Sequence, residues 1–186
     1  LPIWADRHSD KVFVNWILAI PEGARVLEVG SGRYPKTEEI SSQKARHICA
    51  DFHTEKREES SSVRADCVYL PFREQSFDRV LALALLEHVY APWQALQEFA
   101  RVLRPQGQLL WHAAFCQPVH RDPEDYFRFT DAGARVMTEQ AGLTVIQITP
   151  MEGWGAPAGD PTRPSYYAVE AVKQATKAKA TRGARV

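Results

Sequence analysis

Hydrophobic positions along the chain follow two rhythms. Residues 10 to 20, "DKVFVNWILAI", place Val12, Phe13, Trp16, Ile17 and Ile20 at helical spacing, and Pro21 stops the run. Short unbroken apolar runs then take over, the mark of strands buried on both faces. "RVLEV" at 25–29 is the first, with Gly23 in the turn before it. "RHICAD" at 46–51 reads as the second strand and "SVRAD" at 62–66 as a short third. "FDRVLALALL" at 77–86 is the strongest buried strand, and "QLLWHAAF" at 108–115 is the fifth. Between them, "APWQALQEFARVLRPQG" puts Leu96, Phe99 and Leu103 on one helical face, with Pro105 and Gly107 ending the helix. Thr130 is placed to cap a helix over 131–141, with Gly142 at its end. "LTVIQITP" and "SYYAVEAVK" supply two closing strands, separated by a Gly/Pro-rich loop at 151–164. A short helix is expected after Pro35, and "FHTEKREESSS" reads as polar loop.

Strands alternating with helices predict an α/β fold, a parallel sheet covered on both faces. Two late strands with no helix between them predict that one end of the sheet is antiparallel. No internal repeat interrupts this order.

Composition narrows the function classes. The chain has 186 residues, 45% apolar and 25% charged, which suits one domain with one sizeable core. Lys and Arg number 23 and so do Asp and Glu, so no global attraction to nucleic acid or an anionic membrane is expected. Cys49, Cys67 and Cys116 are odd in number, with no C-x-x-C. That pattern speaks against a disulfide framework or a zinc site, so no metal is expected, and it suits a reducing, cytoplasmic setting. No apolar stretch reaches the ~18 residues of a membrane span. Beyond Glu170, Lys173, Lys177, Lys179, Arg182 and Arg185 stand without an acid, and 173–186 is expected to be a disordered basic tail.

In an open parallel sheet, ligands bind beyond the carboxyl ends of the strands. The first strand delivers Glu28 to Gly32 there, the second Asp51, the third Asp66, and the fourth Glu87 and His88. Carboxylates at such a cleft can accept paired hydrogen bonds from a ribose diol or an amino group. Asp51 stands 23 positions after Glu28, near the spacing at which a nucleotide fold offers an acid to a ribose. Gly30 and Gly32 fit a dinucleotide loop, but its third glycine is missing, since Arg33, Tyr34 and Pro35 follow. A pyrophosphate wants a glycine-lined helix start, so the ligand moves toward an adenosine without pyrophosphate.

"VLEVGSG", "ADF" and "ADCVYLPFREQSFDRVLALALLEHVYAPWQALQEFARVLRPQGQL" resemble the ordered motifs of class I S-adenosylmethionine-dependent methyltransferases, nearest to the type 11 group. The resemblance runs from about residue 20 to 172 and implies a methyltransferase domain over 1–172. It implies a Rossmann-like, seven-stranded, mostly parallel sheet with an antiparallel last strand and helices on both faces. S-adenosyl-L-methionine is the implied cofactor. Glu28, Gly30 and Gly32 match the motif lining its methionine and ribose, Asp51 the acid holding the ribose hydroxyls, and Asp66 with Cys67 the position meeting the adenine amino group. Leu83 and Ala84 match backbone contacts beside the methionine moiety. Gln106 stands where a glycine is usual before Gly107, a departure expected to alter only a turn.

A second segment concerns the acceptor. "HRDPEDYFRFT", residues 120–130, resembles an "H-x-x-P-x-D-Y-x-R-F-T" stretch in one branch of these enzymes, and it follows the fifth strand. Methyl transfer from a sulfonium is an in-line displacement that needs alignment and exclusion of water. An oxygen or nitrogen acceptor also sheds a proton, and a histidine suits that task. His120 is therefore the candidate base, with Asp125, Tyr126 and Arg128 shaping the site or binding a small-molecule or sugar-like acceptor. Plainer readings stand beside these: His88 as packing, Arg128 as the ion-pair partner of Asp125 or Asp131, and Trp154 as a lid aromatic between glycines. The competing function is a non-catalytic cofactor-binding module. An NAD-dependent oxidoreductase is disfavoured by Tyr34-Pro35. Nucleic acid is disfavoured as the substrate because Leu86-Glu87-His88-Val89 stands where base methyltransferases carry an Asn/Asp-Pro-Pro-aromatic motif.

Overall fold

The structure, a computed structural model, describes residues 8–32, 40, 42–53, 61–121, 123–152 and 164–175. Seven strands form one sheet: β1 Arg25–Val29, β2 Arg46–Asp51, β3 Ser61–Arg64, β4 Phe77–Leu83, β5 Leu103–Ala114, β6 Leu143–Met151 and β7 Tyr166–Lys173. Their order is β3-β2-β1-β4-β5-β7-β6, and only the pairs made by β7 are antiparallel. Strand order reverses between β1 and β4, which is where such sheets open a ligand crevice.

The apolar runs are unbroken because alternate residues are buried against different helices. Val26, Leu81 and Leu110 pack with Phe13, Trp16 and Ile17 of α1 (His8–Leu18). Leu27, Val80, Leu109 and Trp111 point the other way, into the core shared with Leu96 and Phe99 of α2 (Pro92–Val102) and Ala134 of α3 (Asp131–Gln140). Thr130 caps α3 as expected, its side chain accepting from the Gly133 amide, and Gly142 closes it at φ +86°. The Nε1–H of buried Trp111 donates to Thr138 Oγ1 at 3.2 Å, satisfying a polar group that the core would otherwise strand.

Three boundaries differ from the sequence reading. β4 ends at Leu83 rather than at 86, because Ala84 turns into the left-handed region and Leu86–His88 forms a single 3-10 turn. β3 stops at Arg64, two residues short of Asp66. α2 ends at Val102, and Leu103, expected on its apolar face, opens β5 opposite Phe77. The register shift between Phe77 and Arg79 absorbs Arg104–Gly107, with Gln106 at φ +64°. Gly107 suits this kink, since a Cβ there would lie 2.8 Å from the Arg104 carbonyl oxygen.

Lys173, read from the sequence as the first residue of the tail, lies in the sheet. Lys173 is the last residue of β7, and its Nζ donates to the carbonyls of Ala100 and Leu103, each at 2.7 Å. A cation there satisfies the orphan carbonyls at the end of α2. Residues 176–186, the segment after Pro35 and Trp154 lie outside the described residues. Among the described residues, no helix is long and apolar enough to cross a membrane.

Candidate functional site

The carboxyl ends of β1 and β2 meet through two glycines and an acid. Gly30, at φ +72°, donates its amide to the Ala50 carbonyl at 2.8 Å. A Cβ on Gly30 would sit 2.7 Å from Leu85 Cδ1, so a side chain here would displace Leu85 as well as strain the backbone. Gly32 donates to Asp51 Oδ2 at 2.8 Å, and the His53 amide donates to Asp51 Oδ1 at 2.8 Å. Two amides thus aim the carboxylate, while each oxygen keeps a lone pair for a further donor such as a ribose hydroxyl. Around Gly32 nothing lies within 4 Å of where a Cβ would project, so the described rim is open there.

Asp66 and Cys67 follow directly from β3, with the Ala65 amide bonded to the Asp51 carbonyl at 2.9 Å. Asp66 Oδ1 accepts from the Val68 amide at 3.1 Å, a turn that fixes the carboxylate beside Asp51's strand end. Burial, then the charge of Asp66, pushes the Cys67 thiol up to about 12, so it is an inert apolar group. Only the backbone of Cys67 is suited to meet a ligand. Leu83 is half-buried and Ala84 exposed at the end of β4. Ala84 holds φ +47°, unusual for a residue with a Cβ, and its amide donates to the carbonyl of His112 on β5 at 3.1 Å.

Glu28 is placed differently from its motif partners. It is buried in the sheet interior, and its Oε2 lies 3.0 Å from Nε2 of His47 on β2. Burial works against a charged His47, but hydrogen bonds to Cys49 and Glu28 outweigh it, and its pKa rises to about 9. One Glu28 oxygen is therefore committed to an internal ion pair that the sequence did not announce.

The second half of the site lies beyond β4 and β5. Residues 123–130 return across the 3-10 turn, the amides of Tyr126 and Phe127 both donating to the Glu87 carbonyl, at 2.8 and 3.2 Å. Asp125, its side chain only 1% exposed, is gripped by both terminal nitrogens of Arg128. Arg128 also donates to the carbonyls of Pro118 and Gln117, at 2.9 and 3.2 Å. The Arg128 hydrogen bonds hold the Asp125 carboxyl well below the usual carboxylate range. Asp125 and Arg128 thus spend their polar groups on the shape of this segment, whereas Tyr126 is 53% exposed.

Two imidazoles face each other across the site. His120 Nε2 lies 3.2 Å from His88 Nε2, with the rings nearly perpendicular. The His120 amide donates to Asp125 Oδ2 at 2.9 Å, so the Asp125–Arg128 pair positions the ring. Beside the histidines, Glu87 is fully buried, and burial raises its pKa. The backbone amides of Glu87 and Ala114 favour its charged form without reaching hydrogen-bond geometry, and neither carboxylate oxygen has a partner among the described residues. In the sequence Glu87 reads only as a strand-end acid and His88 as packing. The Glu-His pair directly after the strongest buried strand was the available signal.

A groove of about 430 Å³ opens at the opposite end of the sheet, lined by residues 21–24, 78–79 and 104–107. Its charges are spent internally: Asp78 accepts from the Arg25 amide at 2.8 Å and from Arg104 at 2.7 Å. It also lies at the amino ends of β1 and β4, the wrong end of the strands for ligand chemistry.

A family profile described as a methyltransferase domain, type 11, matches residues 27–111, from inside β1 to Trp111 of β5, a span that includes the rim. Over that span, just under half of the chain, the sequence is similar to the class I S-adenosylmethionine-dependent methyltransferases of the type 11 kind. That family is one of enzymes, with S-adenosylmethionine as its cofactor. A demethylmenaquinone methyltransferase of Mycobacterium sp. (strain KMS) is 33% identical over 109 residues, covering 56% of this chain. The match spans only 47% of that relative, so the chain corresponds to about half the length of the curated methyltransferases it matches. Among solved structures, Burkholderia thailandensis 1,6-didemethyltoxoflavin-N1-methyltransferase, with S-adenosylhomocysteine bound, superposes with a TM-score of 0.70 at 19% identity, covering 94% of this chain and 82% of that one. The [4+2]-cyclase SpnF superposes with a TM-score of 0.71 at 15% identity, covering 89% and 81%. One architecture therefore carries different reactions, and the reaction must be argued from the site.

Proposed function

We propose that this methyltransferase-family chain moves a methyl group from S-adenosylmethionine to an oxygen or nitrogen of a small-molecule or sugar-like acceptor. The observation that carries the reading is the Gly32–Asp51 contact at 2.8 Å, which joins the first loop to the end of β2 and leaves Asp51 oriented with acceptor capacity to spare. These residues fit the cofactor: Gly30 and Gly32 carry no side chain into the turn, Asp51 suits the ribose diol, and Asp66 with the Cys67 backbone suits the adenine amino group. Leu83 and Ala84 sit at the adjacent strand end, where the methionine portion would run. When bound, the cofactor supplies an electrophilic methyl on a sulfonium.

The remaining work falls to the second half of the site. His120, held by Asp125 and facing His88, is positioned to take a proton from the acceptor. Tyr126 presents an exposed ring to an acceptor, while Asp125 and Arg128 keep the segment in shape. Relatives support a small-molecule acceptor, since those matched include a demethylmenaquinone and a didemethyltoxoflavin methyltransferase. The test is calorimetric titration of S-adenosylhomocysteine followed by a transfer assay over hydroxylated and amino acceptors. Micromolar binding with turnover supports the proposal. Binding without turnover over that panel favours a cofactor-binding module, and no binding removes both.

A further inference from the structure

We propose that Glu87, His88 and His120 form a binding site for one divalent transition-metal ion, with zinc the best-matched chemistry. The ion itself does not depend on the methyltransferase reading; its use there does, and with the ion bound His120 is a ligand rather than the base, the ion instead holding an acceptor oxygen and easing loss of its proton to water.

The tautomers carry the first step. His88 Nδ1 lies 2.9 Å from the Glu124 carbonyl oxygen, and His120 Nδ1 lies 3.1 Å from the Pro118 carbonyl oxygen and 3.3 Å from Asp125 Oδ2. Those partners only accept, so each Nδ1 carries the hydrogen and each neutral ring presents a bare Nε2. The two Nε2 atoms stand 3.2 Å apart. Two lone pairs at that separation repel unless a proton or a metal ion lies between them. Two nitrogens bound at 2.0–2.1 Å to one tetrahedral ion are about 3.3 Å apart, close to the spacing observed.

Glu87 supplies the second observation. It is fully buried, and both of its oxygens lack hydrogen-bond partners among the described residues. A carboxylate left this way is costly unless it takes up a proton or meets a cation. Ligand atoms from all three residues lie within 4.8 Å of one another, so a small side-chain rotation closes a two-histidine, one-carboxylate set. Support behind the ligands is already in place, because metal-binding histidines commonly donate their other ring N–H to a carbonyl or carboxylate. Three protein ligands leave a coordination position free, as catalytic zinc sites do. Both histidines are only half-buried, and they sit beyond β4 and β5 on the side where an acceptor would approach.

A second group, Glu28, His47 and Cys49, has comparable spacing but is closed inside the sheet as an ion pair, and it serves as the control. The test is titration of chelator-stripped protein with Co2+, read by its visible ligand-field bands, with Zn2+ as competitor. One equivalent of tetrahedral Co2+ displaced by Zn2+ is expected. His88→Ala and His120→Ala should each weaken it by at least about tenfold, and Cys49→Ser should leave it unchanged. Glu87→Gln, nearly isosteric, repeats the test should an alanine variant fail to fold by circular dichroism. Absence of stoichiometric uptake overturns the proposal, and so does uptake that Cys49→Ser abolishes while His88→Ala and His120→Ala leave it intact. S-adenosylhomocysteine titrated in parallel separates the readings: cofactor binding without metal uptake overturns this site alone.

Discussion

Gly32 and Asp51 are 19 residues apart in sequence and joined by a 2.8 Å hydrogen bond from the glycine amide to the carboxylate. The bond couples the loop after β1 to the end of β2, so the first glycine loop and the Asp51 carboxylate form one unit. Neither motif can shift without the other.

That coupling makes Asp51→Ala a sharp test of the cofactor site. Charged hydrogen bonds contribute about 1.5–3 kcal/mol each, so S-adenosylhomocysteine affinity should fall roughly 10- to 150-fold. Calorimetric titration of both proteins decides it, and equal affinities would remove Asp51 from the site.

Gly30→Ala should damage the fold more than Gly32→Ala. Both glycines have positive φ, which costs a residue with a Cβ about 1–2 kcal/mol. Among the described residues, only at Gly30 would the added Cβ meet a side chain, Leu85 Cδ1 at 2.7 Å, whereas none lies within 4 Å of one at Gly32. Thermal unfolding should rank Gly30→Ala below Gly32→Ala, and the reverse order would refute the packing against Leu85.

The Asp125–Arg128 clamp should govern the segment over residues 117–128. Arg128→Ala leaves the Asp125 carboxylate, 1% exposed, without its cation. Breaking a buried pair costs roughly 3–5 kcal/mol, and the 26% exposure of Arg128 puts the expected loss near the lower end. Because the folded Asp125 pKa is depressed, this stabilisation is present above the unfolded value of about 3.9 and fades as pH falls toward the folded one. Urea titration at pH 7 and at pH 3 should show the variant's deficit shrinking in acid.

The Glu28–His47 pair sets an alkaline limit. The folded His47 pKa is raised to about 9, above an unfolded value of about 6.5. Its contribution is therefore fully present below about pH 6.5 and is lost as pH rises through about 9. Wild-type stability should decline across that window, and His47→Gln should flatten the decline. An identical slope in the variant would assign the decline to other groups.

Local pattern determined much of this protein. Period and composition alone placed α1, the cores of all seven strands, the Thr130 cap and the antiparallel end of the sheet, because burial on one or two faces writes itself into neighbouring residues. The strand-end glycines and acids were legible for the same reason, since topology fixes which end of a strand meets ligand. Tertiary structure decided what depends on partners distant in sequence. Leu103 looks helical by spacing, yet pairing with Phe77 draws it into β5. Glu28 meets His47 only because β1 and β2 lie side by side. His88 and His120, 32 residues apart, face each other only because the segment after β5 folds back over Glu87. A sequence records which side chains are available, but the distance between two of them is set by the packing of everything that lies between.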